Sequence, residues 1–187
     1  MLSLECLMDM SSSEYVYNKL IMVVALPAAI MLLSTLVTMI IIIFRAEKFG
    51  IACVMNRCFI LIAFFLIHPL LVKTILSFLK CEKIEDTRWL SISMDEECWT
   101  GDHEFYTLAV AVPGLIVWGI FTPLIVMLII RRRNRIGKLD SVYGKMVYGF
   151  FYLGYKPRHY YWEIVVLYRK MIILFNLLFL ANYDVAI

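Results

Sequence analysis

The sequence predicts an all-α fold, a multi-pass transmembrane helical bundle of about four spans. Three observations predict it. Hydrophobic residues make up 63% of the 187, against roughly 45–50% in a soluble domain. Apolar runs recur at lengths that suit a bilayer crossing better than a soluble core helix. Acidic residues gather before the third run and basic residues after it, the kind of asymmetry that orients a membrane protein. The net charge of +3 carries little by itself, because loop distribution sets orientation. Nothing calls for a nucleic-acid partner.

Residues 1–18 read as an extracytoplasmic N-terminal segment, and 19–187 as the transmembrane domain. Glu5, Asp9 and Glu14 precede the first apolar run, whereas a secretory signal starts basic and passes directly into its apolar segment, so no cleavable signal is expected. The first span, 20–44, is almost unbroken apolar sequence with Pro27 inside it. A short linker with Arg45 and Lys48 turns the chain into the second span, 59–79, which opens near Asn56 and Arg57 and holds His68, Pro69 and Lys73. Residues 80–104 form a hydrophilic, strongly acidic loop. The third span, 108–130, contains Pro113, Gly114, Gly119 and Pro123, which loosen a helix and let neighbours approach. From 131 to 159 the only acid is Asp140, against Arg131, Arg132, Arg133, Arg135, Lys138, Lys145, Lys156 and Arg158. By the positive-inside rule this segment is cytoplasmic, which puts the N-terminus and the 80–104 loop outside. The fourth span, 164–180, then runs outward.

Cys81 and Cys98 flank the outside loop, and a disulfide there would remove a loop entropy worth roughly 3 kcal/mol from the unfolded chain. Metal binding is the sharper alternative, since Cys98 and His103 are five apart with Asp102 beside them. A structural zinc site needs four convergent ligands, and the set here is scattered, so neither metal nor cofactor is expected. Cys6 has no evident partner, and Cys53 and Cys58 fall near the inner face, where thiols stay reduced.

His68 beside Pro69 reads either as a hinge or proton relay, or as a kinked helix with a satisfied histidine; the second is favoured. Glu163, Arg169 and Lys170 fall close to one helical face. With Arg57 at matching depth they read as an ion-pair cluster, or else as a helix start whose acid suits the dipole and whose cations snorkel. Tyr160, Tyr161 and Trp162, with Lys156 and Arg158, form a collar of membrane-interface anchors. Arg131, Arg132, Arg133 and Arg135 are a stop-transfer run able to hold anionic lipid or a partner. The aromatic, glycine-spaced piece 142–155 would lie along the inner interface. No nucleophile elbow, phosphate loop or zinc helix is present, so no enzymatic activity is expected.

Tyr148-Gly149-Phe150, the run Tyr155-Lys156-Pro157 through Tyr160-Tyr161-Trp162-Glu163-Ile164-Val165, and Arg169-Lys170 resemble the membrane region of large protist transmembrane proteins with cysteine-rich modular ectodomains. Ser3-Leu4-Glu5-Cys6-Leu7, Cys98-Trp99-Thr100-Gly101-Asp102-His103, Pro113-Gly114 and Pro123 fit the same region. More loosely, the pattern is similar to fungal TRP-like channel proteins. The resemblance implies a cell-surface membrane protein with a TRP-like helix set. Two functions follow as expectations. One is a structural or receptor-type module that anchors an ectodomain or docks with other membrane subunits. The alternative is a subunit of a TRP-like channel or transporter. Arg57, His68, Lys73 and Asn176 separate them: gathered around water they favour transport, and facing helices dry they favour the module.

Overall fold

The computed structural model describes residues 12–45, 47 and 49–180. Cys6 and the 3–7 stretch lie outside the described residues. Helix α1 spans Ser12–Phe44 and α2 spans Phe49–Leu79. Three short strands follow, β1 Cys81–Ile84, β2 Thr87–Leu90 and β3 Ser93–Glu97. Helix α3 runs over Gly101–Arg135, α4 over Val142–Tyr152, and α5 over Trp162–Phe179, with a 3₁₀ turn at Pro157–His159 before the last.

Three segments are long and apolar enough to cross a membrane: Glu14–Phe44, Phe49–Leu79 and Gly101–Arg135, of 31, 31 and 35 residues. At about 1.5 Å per residue each exceeds a hydrocarbon core of about 30 Å. Helix α5, with 18 residues and the charges of Glu163, Arg169 and Lys170, falls outside that apolar set. All three long helices overrun the expected spans. Helix α2 begins at Phe49, not near 59, because Asn56 and Arg57 continue the helix rather than interrupt it. Helix α3 starts at Gly101 and carries the arginine run as its last turn, where cations suit the exposed carbonyls.

The expected all-α bundle is corrected within the 80–104 loop, whose residues 81–97 fold as an antiparallel sheet in the order β1-β2-β3. Strands β1 and β2 form a hairpin from Cys81↔Leu90 to Ile84↔Thr87, turned at Glu85 with φ 55°. Strand β3 pairs with β2 through Trp89↔Glu97 and Leu90↔Ser93, with a register shift between. The Ser91 N–H donates to the Lys80 carbonyl (3.0 Å) and the Cys98 N–H to the Arg88 carbonyl (2.8 Å). Leu90, fully buried, inserts from this small sheet into the helical core. Strands this short, with charges on both faces, carry no alternation to announce them.

Helix α2 is the axis of the bundle, touching α1, α3, α4 and α5. Two apolar clusters form around it. At the sheet end Tyr17, Leu20, Leu71, Ile75, Phe78, Leu90 and Ala111 pack together. At the basic end Phe65, Ile130, Val147, Phe151, Ile164 and Leu167 do so. Two glycines set the spacing. A Cβ on Gly114 would stand 3.1 Å from Val24 of α1, the close helix approach that small residues allow. A Cβ on Gly144, in the first turn of α4, would collide with the Leu139 carbonyl oxygen. Ser141 caps that turn, its Oγ accepting from the Gly144 N–H at 3.1 Å.

Candidate functional site

Polar groups in the long helices meet at a junction built by Pro123. Proline has no N–H, so the carbonyl four residues earlier, that of Gly119, has no helical donor. The backbone around it widens into π turns over Thr107–Ala111 and Leu115–Phe121, with the Thr122 N–H reaching back five residues to the Val117 carbonyl. Three side chains reach carbonyls of this stretch. Thr122 Oγ1 donates to Val117 at 2.8 Å, and the Tyr168 hydroxyl, from α5, donates to Ile120 at 2.8 Å. His68 Nε2, from α2, stands a long 3.5 Å from the Gly119 oxygen. His68 is 1% exposed and its Nδ1 has no hydrogen-bond partner among the described residues. The junction therefore joins α2, α3 and α5. Helix α2 continues unbroken through Pro69.

At the basic end the expected ion-pair cluster is replaced by aromatic partners. Among the described residues no ion pair joins Glu163 to Arg57, Arg169 or Lys170. Glu163 instead accepts the Tyr155 hydroxyl at 2.6 Å, and this bond holds the phenol above its ordinary pKa. Arg57 Nη1 donates to the Tyr143 hydroxyl at 2.5 Å. Arg133 lies over the rings of Tyr143 (4.9 Å) and Tyr148 (5.2 Å), and Lys170 over Phe65 (5.6 Å). Arg169 is exposed. Phenols and rings satisfy these cations because α4 stacks its aromatic face directly on α2 and α5. The 142–155 piece is correspondingly part of the core: Val147, Phe151 and Tyr152 are buried, and the Tyr152 hydroxyl donates to the Leu139 carbonyl at 2.8 Å. Burial raises the Tyr152 pKa.

The collar is partly open. Trp162 is 44% exposed, Tyr160 and Tyr161 are half-buried with rings edge-to-face at 5.4 Å, and Lys156 and Arg158 are exposed. Arg131, Arg132 and Arg135 are exposed as well, while Arg133 is held by its two tyrosines.

At the sheet end Cys81 and Cys98 are joined by a disulfide, closing a 17-residue separation around the sheet. His103 packs beside it, fully buried and stacked on Phe78 at 5.1 Å. Its Nδ1 accepts the Trp99 N–H at 3.1 Å, which leaves the ring proton on Nε2, 3.4 Å from the Phe78 carbonyl. Cys81, Cys98 and His103 do bring three potential metal ligands together. The two sulfurs are bonded to each other, however, and the imidazole faces backbone partners at both nitrogens. Tyr17 ties α1 to β3 by donating to Glu96 at 2.9 Å, and its ring stacks on Tyr106 at 4.5 Å. Lys80 and Glu82 form an ion pair at 3.0 Å, and the hydrogen bond from Lys80, with another from Ser91, holds the Glu82 carboxyl below its usual range.

Sequence reasoning missed Tyr17, Thr122 and Tyr168, and it named Gly119 and Tyr155 without seeing that the Gly119 carbonyl meets His68 or that the Tyr155 hydroxyl meets Glu163. One signal was available: counting four back from Pro123 identifies the Gly119 carbonyl as needing a donor.

Of the other residues that separate the two expected functions, Lys73 is exposed on α2, and Asn176 Nδ2 donates to the Ile172 carbonyl of its own helix at 2.8 Å. Arg57, His68, Lys73 and Asn176 thus have four different surroundings.

Over 119 residues, covering 59% of this chain, the sequence is 30% identical to cysteine repeat modular protein A of Toxoplasma gondii. The chain spans only 4% of that relative's length. No family model matches the chain, and no solved structure matches it.

Proposed function

We propose that the chain is a four-span, multi-pass membrane module that anchors an ectodomain or docks within a larger surface assembly. The observation that carries this reading is the dispersal of the polar groups in the helices. Arg57 is engaged by Tyr143, His68 faces the Gly119 carbonyl in a buried junction, and Asn176 turns back on its own helix. A cation pathway needs acidic or carbonyl groups gathered around water, and these residues do not gather. Helix α5 serves as the fourth span: its 18 residues reach about 27 Å, with Glu163 at its start and Lys170 lying against Phe65. Similarity to a short part of a far larger cysteine repeat protein fits a module that belongs to a longer chain. Exposed Arg131, Arg132 and Arg135 suit anionic lipid on the basic side.

A channel or transporter subunit with a TRP-like helix set is the second reading. It is favoured by one observation, the π turns of α3 facing a buried histidine whose Nδ1 has no partner among the described residues, since such turns recur at functional sites. Reconstitution into planar bilayers, with currents recorded in potassium, sodium, calcium and chloride gradients, separates the two. The module predicts no unitary current above the empty bilayer. A selective current abolished by His68→Phe would establish the second reading.

A further inference from the structure

A second polar feature lies at the sheet end, away from the arginine run and the Pro123 junction. A cavity of about 320 Å³ opens between α1 and α2, lined by Tyr15, Lys19, Leu70, Lys73, Ser77 and Ile92 among others. Lys19 is seven residues in from Ser12 and Lys73 six in from Leu79, about 10 Å and 9 Å along the two antiparallel helices, and both line this one cavity. Segments of 31 residues overrun a hydrocarbon core of about 30 Å by about 16 Å in total. This depth is therefore the boundary between hydrocarbon and headgroups. Both lysines are exposed, and neither makes an ion pair among the described residues. Lys19 rests 5.7 Å above the Tyr15 ring. The Ser77 and Tyr15 hydroxyls make no hydrogen bond among the described residues and are available as donors.

From this polar mouth two apolar stripes lead toward mid-helix. On α1 the face of Tyr15 and Lys19 continues through Met22 (66% exposed) and Leu26, and on α2 that of Ser77 and Lys73 continues through Leu70 (58%) and Leu66 (67%). These offsets of three and four residues keep each stripe on one helix face. A cationic mouth over a lipid-facing apolar track is complementary to an amphiphile with an anionic head.

We propose that this cavity binds an anionic phospholipid in the leaflet on the sheet side, its phosphate between Lys19 and Lys73 and an acyl chain along Leu70 and Leu66. The site rests on the reading that α1 and α2 span a bilayer. It is distinct from any lipid contact at the arginine run, which lies at the opposite end of the helices.

The test is native mass spectrometry of the full chain released from nanodiscs, titrated with dioleoyl phosphatidylglycerol, with dioleoyl phosphatidylcholine, and with inorganic phosphate as the soluble arm. Lys19→Gln/Lys73→Gln should bind phosphatidylglycerol about thirtyfold more weakly, while Lys19→Arg/Lys73→Arg stays within about twofold of the wild type, as expected for two interfacial cations. Arg131→Gln/Arg132→Gln should leave this loss intact, since it acts at the other end. Should the double glutamine variant lose its helical circular dichroism, Lys73→Gln alone must show weaker binding for the proposal to stand. Unchanged titration in the glutamine variants, or displacement of the lipid by inorganic phosphate, would overturn the site and leave the membrane reading intact. A chain that is not retained in nanodiscs at all would overturn both.

Discussion

Removing the Cys81–Cys98 disulfide should loosen the sheet without unfolding the bundle. The bridge closes a 17-residue separation, and loop-closure entropy for a ring of that size is worth about 3 kcal/mol at 25 °C. The ring contains the entire sheet, whose only large apolar anchor in the core is Leu90. Cys98 and Cys81 touch only the sheet-end cluster, whose other buried residues come from α1, α2 and α3 together with Leu90, so the lost stability concentrates in local opening of β1, β2 and β3. In Cys81→Ala/Cys98→Ala, amide exchange should speed by about 150-fold, the factor equivalent to 3 kcal/mol. Native-state hydrogen exchange read by mass spectrometry is the assay, with the Cys98 and Ser91 amides as reporters because they close the sheet on the Arg88 and Lys80 carbonyls. Exchange within about threefold of the bridged protein would refute the reasoning, since it would mean that packing alone holds the sheet closed. A comparable loss of protection in α2 would refute it from the other side.

Four further outcomes follow from the same geometry. The Tyr155–Glu163 bond raises the phenol pKa, so its stabilisation is fully present below the unfolded value of about 10 and is lost as pH rises through the higher folded value; because burial raises the Tyr152 phenol too, thermal melts from neutral to strongly alkaline pH should decline in both proteins, and more steeply in the wild type than in Tyr155→Phe. Gly144→Ala should destabilise by about 1–3 kcal/mol through its collision with the Leu139 carbonyl, whereas Gly154→Ala, which meets open space, should be near neutral in the same detergent melts. At the α3 junction, Tyr168→Phe should cost about 0.6 kcal/mol, typical for a hydrogen bond between membrane helices; a double-mutant cycle of Pro123→Ala with His68→Phe should show coupling, because alanine supplies the missing donor to Gly119.

The long helices were legible because the length of their apolar runs suffices to identify them: nothing but a helix satisfies the backbone of 20–44 in an apolar medium. Their ends were not, because Asn56, Arg57 and the arginine run look like boundaries in sequence and yet fit within a helix. Arg57 stays helical since Tyr143, 86 residues later, accepts from it. That partner cannot be seen from local pattern. The cysteine pair was legible from its place at the two edges of a charged loop, but the strands between were not, since Glu82-Lys83 and Arg88 break any alternation. Electrostatics misled at Glu163. Opposite charges at helical spacing suggested an ion-pair cluster, while the structure gives Glu163, Arg57 and Lys170 aromatic neighbours and leaves Arg169 exposed. A collar with this many tyrosines offers phenols at hydrogen-bond distance without desolvating two charges. The π turns needed one inference that the residues did permit, namely that each proline in 108–130 orphans the carbonyl four residues before it.

The proposed bundle crosses the membrane with its sheet on one side and its basic segment on the other, α5 making the fourth crossing. Single cysteines at Asp95, Asp140 and Leu180, placed in a background with Cys6, Cys53 and Cys58 replaced by serine and the native disulfide kept, test it in sealed cells with an impermeant maleimide. Asp95→Cys and Leu180→Cys should be labelled from outside, and Asp140→Cys only after permeabilisation. Labelling of Asp95→Cys and Asp140→Cys from the same side, or protection of Leu180→Cys together with Asp140→Cys, would contradict the claim.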